Sequence, residues 1–183
     1  MPWNNEQGLP PKSFTCWNCE KLVGSNTGYQ FQNSEQRIYI CNYCLRPNYF
    51  EGAKQIPSPV FGNKVPNLPT DIEQLYAQAR SSTGVNAYTA TVLVCRKLLM
   101  NIAVSKGAEA NKSFADYVDY LSNKGFVPPD SKEWVDHIRT KGNEANHEIV
   151  LMKKEEAEEL LEFIEMLLKI IYEFPARMKA KKI

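Results

Sequence analysis

The sequence predicts an all-α bundle of five helices, preceded by a small β-hairpin module. Two C-x-x-C pairs lie in the N-terminal quarter, a stretch with four prolines follows, and beyond it apolar residues recur at helical spacing. We therefore expect the hairpin module at residues 1–50, a proline-rich linker at 51–70, the helical domain at 71–176 and a basic tail at 177–183.

Composition narrows the class of protein. The 183 residues suffice for one full-sized domain with a small appendage, and 43% hydrophobic with 23% charged residues is typical of a folded chain. The net charge is only +1, so a contact with nucleic acid would need a local basic patch. We see no signal peptide and no apolar run of roughly 18–20 residues, and therefore expect a cytoplasmic protein without a membrane span.

Four of the five cysteines form two equally spaced pairs, Cys16 and Cys19 in "CWNC" and Cys41 and Cys44 in "CNYC". Each pair offers two thiolates from one turn, and two such turns complete a tetrahedral zinc shell. Two β-rich runs, "GYQFQ" and "RIYI", lie between the pairs and predict a hairpin. A redox C-x-x-C usually occurs singly, near a βαβ pattern. We predict a structural Zn²⁺, whose shell leaves no position for water or substrate.

Start and stop signals in the sequence predict five helices. The predicted starts are Thr70, Asn86, Ser113, Asp130 and Lys153. Thr70 and Glu73 match a capping box, Gly107 and Gly125 match helix stops, and the last helix must end before Pro175. That last helix carries a second apolar stripe, Phe163, Met166, Ile170 and Phe174. Either the hairpin module or a second copy of the chain would cover it, so a homodimer is one expectation.

A polar stripe on the fourth helix is the candidate catalytic site. Arg139, Asn143 and His147 recur every four residues and share one side of the helix, beside Gly142. Arginine can hold a phosphate and histidine can transfer protons at neutral pH, as metal-free cleavage of RNA by its own 2′-hydroxyl requires. Alternatively, Arg139 pairs with Asp136 and His147 bonds a neighbouring helix end, in which case the stripe is structural.

The segments "YTATVLVCRKLLMNIA", "SFADYVDYLSNKGFVPP" and "WVDHIRTKGNEANHEI" resemble the bacterial domain of unknown function 4145. The resemblance covers residues 13–175, and members often carry an N-terminal C-x-x-C zinc ribbon. The family is grouped with the HEPN superfamily of helical, often dimeric domains. Many of these are metal-independent ribonucleases of toxin–antitoxin, phage-defence and CRISPR systems, and related domains are fused to restriction subunits.

The resemblance implies a site made of Arg139, Asn143 and His147, with Arg96 of the second helix as a lower-ranked member. HEPN ribonucleases separate the arginine and histidine by four to six residues, whereas seven separate Arg139 from His147. We therefore expect a noncatalytic or weakly active module of a bacterial defence or restriction system. Its partners would be RNA, DNA or a protein of that system. The alternative is a metal-independent endoribonuclease that uses Arg139 and His147 at a dimer interface.

Overall fold

The chain forms two compact units, a β unit at Met1–Val60 and a helical unit at Phe61–Ile183. The computed structural model describes residues 3–32, 34–128, 133–138 and 151–181. Among these residues, no helix is long and apolar enough to cross a membrane.

The β unit is a five-stranded antiparallel sheet in which each strand pairs with the next in sequence. Its strands are β1 (Gln7–Thr15), β2 (Leu22–Gln30), β3 (Gln36–Ile40), β4 (Pro47–Glu51) and β5 (Lys54–Ile56). One face carries a core of three aromatic rings, Phe14, Tyr39 and Phe50, whose centroids lie 5.2 to 6.0 Å apart. Such tilted pairs are each worth about 0.5–1.5 kcal/mol beyond the area they bury.

The prediction of an all-α fold with one small hairpin is wrong, because this sheet has five strands. The two predicted strands correspond to β2 and β3, whereas the edge strands β1 and β5 and the inner strand β4 were missed. β1 contains Pro10 and Pro11 within "LPPK" and its register with β2 shifts between Gly8 and Lys12. Proline is tolerated in an edge strand, where one row of N–H groups has no partner strand. β5 has three residues and lies inside the stretch that the prolines mark as a linker.

The helical unit contains six α-helical segments within the described residues. They are α1 (Thr70–Gly84), α2 (Tyr88–Ser105), α3 (Phe114–Asn123), α4 (133–138), α5 (Lys154–Leu168) and α6 (Phe174–Ala180). α2 lies at the centre and packs against α1, α3 and α5. Its side chains Cys95, Leu98, Leu99 and Ile102 are completely buried. Cys95 behaves as a small core residue, and its burial raises the pKa of the thiol.

The predicted helix stops at two glycines are confirmed. Gly107 has φ +98° and Gly125 has φ +76°, a backbone conformation that residues with a Cβ adopt only with strain. After α2, the Gly107 N–H donates to the Val104 carbonyl and the Ala108 N–H to the Ala103 carbonyl. This is the Schellman pattern, which satisfies carbonyls at the end of a helix.

The predicted helix starts have mixed outcomes. Ser113 caps α3 and forms a capping box with Asp116. The capping box predicted for Thr70 and Glu73 is wrong, because the cap residue of α1 is Pro69, whose carbonyl accepts the Glu73 N–H at 2.8 Å. Thr70 is therefore the first helical residue, one position too late for its hydroxyl to cap.

The prediction that the last helix ends before Pro175 is also wrong. A π-helical turn, Lys169–Glu173, follows α5 and leads directly into α6. In this turn the Phe174 N–H donates to the Lys169 carbonyl, five residues back. Pro175 then lies in the first turn of α6, where its missing N–H costs little. The proline therefore marks a change of helical register, not a stop.

Candidate metal centre

The first cysteine pair occupies the turn between β1 and β2. The Cys16 N–H donates to the Lys21 carbonyl at 3.0 Å, and the Glu20 N–H donates to the Cys16 carbonyl at 2.9 Å. Glu20 has φ +62°, which turns the chain sharply after the second cysteine. The turn therefore brings Cys16 and Cys19 to one end of the β unit.

The second pair repeats this geometry in the turn between β3 and β4. The Cys41 N–H donates to the Arg46 carbonyl at 3.0 Å, and the Leu45 N–H donates to the Cys41 carbonyl at 2.9 Å. Leu45 has φ +59°, the counterpart of Glu20. Two copies of one turn thus present four sulfur atoms to a common centre.

The four sulfur atoms have the spacing of a tetrahedral metal shell. The distance is 3.6 Å between Cys16 Sγ and Cys44 Sγ and 3.8 Å between Cys19 Sγ and Cys41 Sγ, and all four atoms lie within 4.8 Å of one another. A disulfide needs about 2.05 Å, and the cysteines are free thiols. A tetrahedron with Zn–S bonds of about 2.3 Å has edges of about 3.8 Å. These cysteines can therefore hold a metal ion.

Hydrogen bonds from N–H groups prepare Cys44 to become a thiolate. Burial alone would raise its pKa, but bonds from the Arg46 backbone, the Asn18 side chain and the neighbouring thiols outweigh burial and lower the pKa from 9.0 to about 7. A thiolate is the form that binds metal. Cys44 is thus the ligand most easily deprotonated at neutral pH among the three whose pKa is shifted.

Two other thiols hold their protons more tightly without metal. Burial raises the pKa of Cys19 to about 12, although the Lys21 N–H opposes the rise. Burial also raises the pKa of Cys41, against N–H groups of Cys44 and Tyr43. A metal ion must therefore displace protons from these thiols as it binds.

A buried asparagine, which the sequence analysis missed, contacts the site. Asn48 of β4 has no exposed surface. Its Nδ2 group lies 3.6 Å from Cys16 Sγ and donates to the Arg46 carbonyl at 3.0 Å. Its Oδ1 atom accepts from the Trp17 N–H and from Gln55 Nε2, each at 3.2 Å. The available signal was an asparagine, a residue depleted in strands, on the strand that follows the second pair.

The end of the β unit that carries the four cysteines also exposes large apolar side chains. Tyr43 and Leu45, within the second turn, are 62% and 54% exposed. Lys21 Nζ lies 3.3 Å from the centroid of the Tyr43 ring, and Trp3 Nε1 donates to the Leu45 carbonyl at 2.8 Å. We call Trp3, Lys21, Tyr43 and Leu45 the tip surface.

The predicted catalytic residues of the helical unit cannot be placed. Arg139, Asn143 and His147 lie outside the described residues. Arg96 is described, on α2, and is 5% exposed. Its guanidinium carbon lies 4.4 Å from the centroid of the Phe114 ring. Burial lowers its pKa, and its Nη1 atom is buried without a hydrogen-bond partner in the described part of the chain.

A second buried polar cluster, also missed, lies in the helical unit. Glu165 of α5 accepts the Asn63 N–H at 2.7 Å, Asn63 Nδ2 at 3.0 Å and the Tyr76 hydroxyl at 3.3 Å, and it pairs with Lys169. Burial would raise the Glu165 pKa, but the bonds from Lys169 and Asn63 lower it. Arg80 donates to the Gly62 carbonyl at 2.7 Å. The cluster ties the segment around Asn63 to two helices.

The predicted second stripe of the last helix borders this cluster. Phe163 is completely buried and meets Trp134 of α4 edge to face, with centroids 5.0 Å apart. Met166, Ile170 and Phe174 line a cavity of about 480 Å³ with Phe61. The helical unit's own segments thus cover part of the stripe.

Fold and site together define a two-unit protein, in which one unit carries a four-cysteine candidate metal centre and the other is helical. Residues 77–183 match the family described as domain of unknown function (DUF4145), and the chain belongs to this family. The resemblance to this family, seen in the sequence, is thus confirmed for the family itself. Comparison with curated proteins and with solved structures gives no significant match.

Proposed function

We propose that Cys16, Cys19, Cys41 and Cys44 hold one structural Zn²⁺. The supporting observation is the set of sulfur distances, 3.6 Å from Cys16 to Cys44 and 3.8 Å from Cys19 to Cys41 with all four atoms within 4.8 Å, against about 3.8 Å for a zinc tetrahedron. The core of the β unit is small, so the metal would supply much of its folding free energy. With four thiolates bound, the ion has no open position for substrate.

Metal analysis of the purified chain tests this proposal. We expect one zinc per chain, lost in Cys44→Ala and retained in Cys95→Ala, the same change at the fifth cysteine, which is buried in α2. A chain that carries iron instead would be coloured. Zinc retained by Cys44→Ala, or absent from the unaltered chain, would contradict the proposal.

We further propose that the protein is a noncatalytic or weakly active HEPN-like binding module of a bacterial defence or restriction system. It would act in the cytoplasm, as a homodimer, on nucleic acid or a partner protein. The tip surface supports a binding role, because one turn exposes both Tyr43 and Leu45, and clustered exposed apolar groups are typical of interaction sites. Lys21 Nζ lies over the Tyr43 ring, and a base that displaced the ammonium from the ring could stack there while the lysine contacts its phosphate, which favours nucleic acid as the partner.

Binding of fluorescein-labelled single-stranded RNA, followed by anisotropy at several salt concentrations, tests the tip surface. Tyr43→Ala should weaken binding by about 1–3 kcal/mol, the usual contribution of one stacked base. Phe31→Ala is the matched control, because Phe31 is 61% exposed elsewhere on the β unit. Equal losses in both variants, or no binding by the unaltered chain, would remove nucleic acid as the partner.

A second candidate function is the metal-independent endoribonuclease. Arg96 favours it, because its Nη1 atom is buried without an acceptor among the described residues, and such a group costs about 1–3 kcal/mol unless a further acceptor, such as an anion, completes its bonding. The test is cleavage of a mixed RNA pool in EDTA. Activity lost in His147→Ala but kept in His137→Ala, the only other histidine, would support it. His137 pairs with Glu159 at 3.0 Å. No cleavage by the unaltered chain would leave the binding module alone.

A further inference from the structure

Asn48 holds a position in the metal centre that neither the family nor the C-x-x-C pattern assigns. We propose that Asn48 is a positioning residue of this centre, whose carboxamide donates to the Cys16 thiolate and ties the two cysteine turns together, so that metal binds more tightly and leaves more slowly. The inference rests on the proposed zinc site.

The hydrogen-bond partners determine the orientation of the carboxamide. The Trp17 N–H can only donate and therefore requires the oxygen of Asn48, at 3.2 Å. The Arg46 carbonyl can only accept and requires the nitrogen, at 3.0 Å. A flipped amide would place donor against donor and acceptor against acceptor. The second N–H of Nδ2 is therefore the one presented to Cys16 Sγ, 3.6 Å away.

The hydrogen bonds of Asn48 connect the two cysteine turns of the site. Trp17 belongs to the first cysteine turn and Arg46 follows the second, so one buried side chain fixes their separation. Gln55 holds the same oxygen from β5, at 3.2 Å, and also donates to the Thr15 carbonyl, at 3.0 Å. The spacing of the two cysteine turns is therefore held by hydrogen bonds from side chains of β4 and β5.

The bond to sulfur favours the metal-bound state. A thiol is a weak acceptor, whereas a thiolate accepts a charge-assisted hydrogen bond that is roughly twice as strong as a neutral one. The Asn48 N–H thus stabilises Cys16 most when the sulfur is deprotonated and bound. Groups that orient metal ligands in this way typically contribute 10–100-fold in metal affinity.

Asn48→Asp is the sharpest perturbation, because it keeps the shape and one acceptor oxygen but turns an acceptor toward sulfur. Asn42→Asp is the matched control, since Asn42 is an exposed asparagine between Cys41 and Cys44. We would measure zinc transfer to a chromogenic chelator and the sulfur-to-cobalt charge-transfer band of the Co²⁺-loaded protein. Asn48→Asp should release zinc about 10–100-fold faster and shift the band, while Asn42→Asp changes neither markedly.

The outcomes separate the two proposals. If the unaltered chain binds neither zinc nor cobalt tetrahedrally, the metal centre itself is refuted. If the unaltered chain binds zinc and both aspartate variants release it equally, the role of Asn48 is refuted. Gln55→Leu removes a partner of the Asn48 oxygen but leaves the bond from Asn48 to sulfur. If Gln55→Leu shifts the cobalt band as much as Asn48→Asp does, Asn48 contributes only by packing. Should Asn48→Asp not fold with zinc, Asn48→Ala takes its place, with the same expected direction.

Discussion

Replacing the buried carboxylate Glu165 by glutamine should destabilise the helical unit far more than the same change one turn earlier. Glu165 is 7% exposed and accepts two donors from Asn63 and one from Lys169. The Tyr76 hydroxyl lies 3.3 Å from Oε2 but has its shorter bond, 2.9 Å, to the Asn63 carbonyl. These bonds anchor the segment around Asn63 to α5. Glutamine keeps the shape of the side chain but removes the charge and one acceptor.

The magnitude follows from the donors left without an acceptor. Lys169 and the Asn63 side chain share Oε1, while the Asn63 N–H donates to Oε2. Whichever oxygen becomes the NH₂ group, at least one fixed donor faces another donor. A hydrogen bond to a charged group contributes about 1.5–3 kcal/mol, and an unsatisfied buried group costs about 1–3 kcal/mol. We expect Glu165→Gln to cost about 2–4 kcal/mol at pH 7.

The pH dependence has a definite sign. Because the pKa of Glu165 is lower in the folded chain than in the unfolded chain, its contribution is complete above the unfolded value near 4.5. It is lost as the pH falls through the folded value. The difference in stability between the unaltered chain and Glu165→Gln should therefore shrink at acid pH.

Urea unfolding, followed by circular dichroism at 222 nm, measures the free energy of unfolding of each variant at each pH, since the helical unit supplies most of the signal. Glu162→Gln, an exposed position on the same helix, is the control and should stay within about 0.5 kcal/mol of the unaltered chain. Equal effects of the two variants, or a difference that grows as the pH falls, would refute the anchoring role of Glu165.

Two further predictions concern the metal centre and the helix stops. Zinc affinity, measured by chelator competition, should fall steeply between pH 8 and pH 6, because protons compete with the metal for the thiols. In the metal-free chain Cys19, with a pKa of about 12, is protonated across this range, and Cys44, with a pKa of about 7, becomes protonated within it. A flat profile would contradict thiolate ligation. Gly125→Ala should cost about 1 kcal/mol through its positive φ alone, whereas Gly107→Ala should cost more, because a Cβ there would lie 3.2 Å from the Tyr120 hydroxyl. Equal melting temperatures for the two glycine variants would contradict the contribution of Tyr120.

The features that the sequence revealed are those encoded locally. Gly107 and Gly125 end helices because of their own backbone freedom, and Ser113 caps α3 with a partner three residues away. The C-x-x-C pairs are equally local, since each turn closes within six residues. Such signals need no knowledge of the rest of the chain.

The features that were missed depend on residues distant in sequence. β5 is an exception, because it pairs with the adjacent strand β4, Tyr49 with Ile56, and was missed because its three residues are too few to show an alternating pattern. The Asn48 carboxamide contacts the sulfur of Cys16, which lies 32 residues earlier in the sequence. Glu165 accepts a hydrogen bond from Asn63, which lies 102 residues earlier. No local pattern reports which buried polar groups will satisfy each other.

The sequence by itself predicted the four cysteines that the structure brings together, the helix stops at Gly107 and Gly125, the Ser113 cap and the family, because turn chemistry and helical periodicity act over a few residues. Only the tertiary structure decided that the N-terminal unit is a five-stranded sheet, that Asn48 holds a buried polar cluster in that unit, and that Glu165 holds another in the helical unit. Buried polar groups need partners, and in these clusters the partners come from distant parts of the chain that only folding brings together.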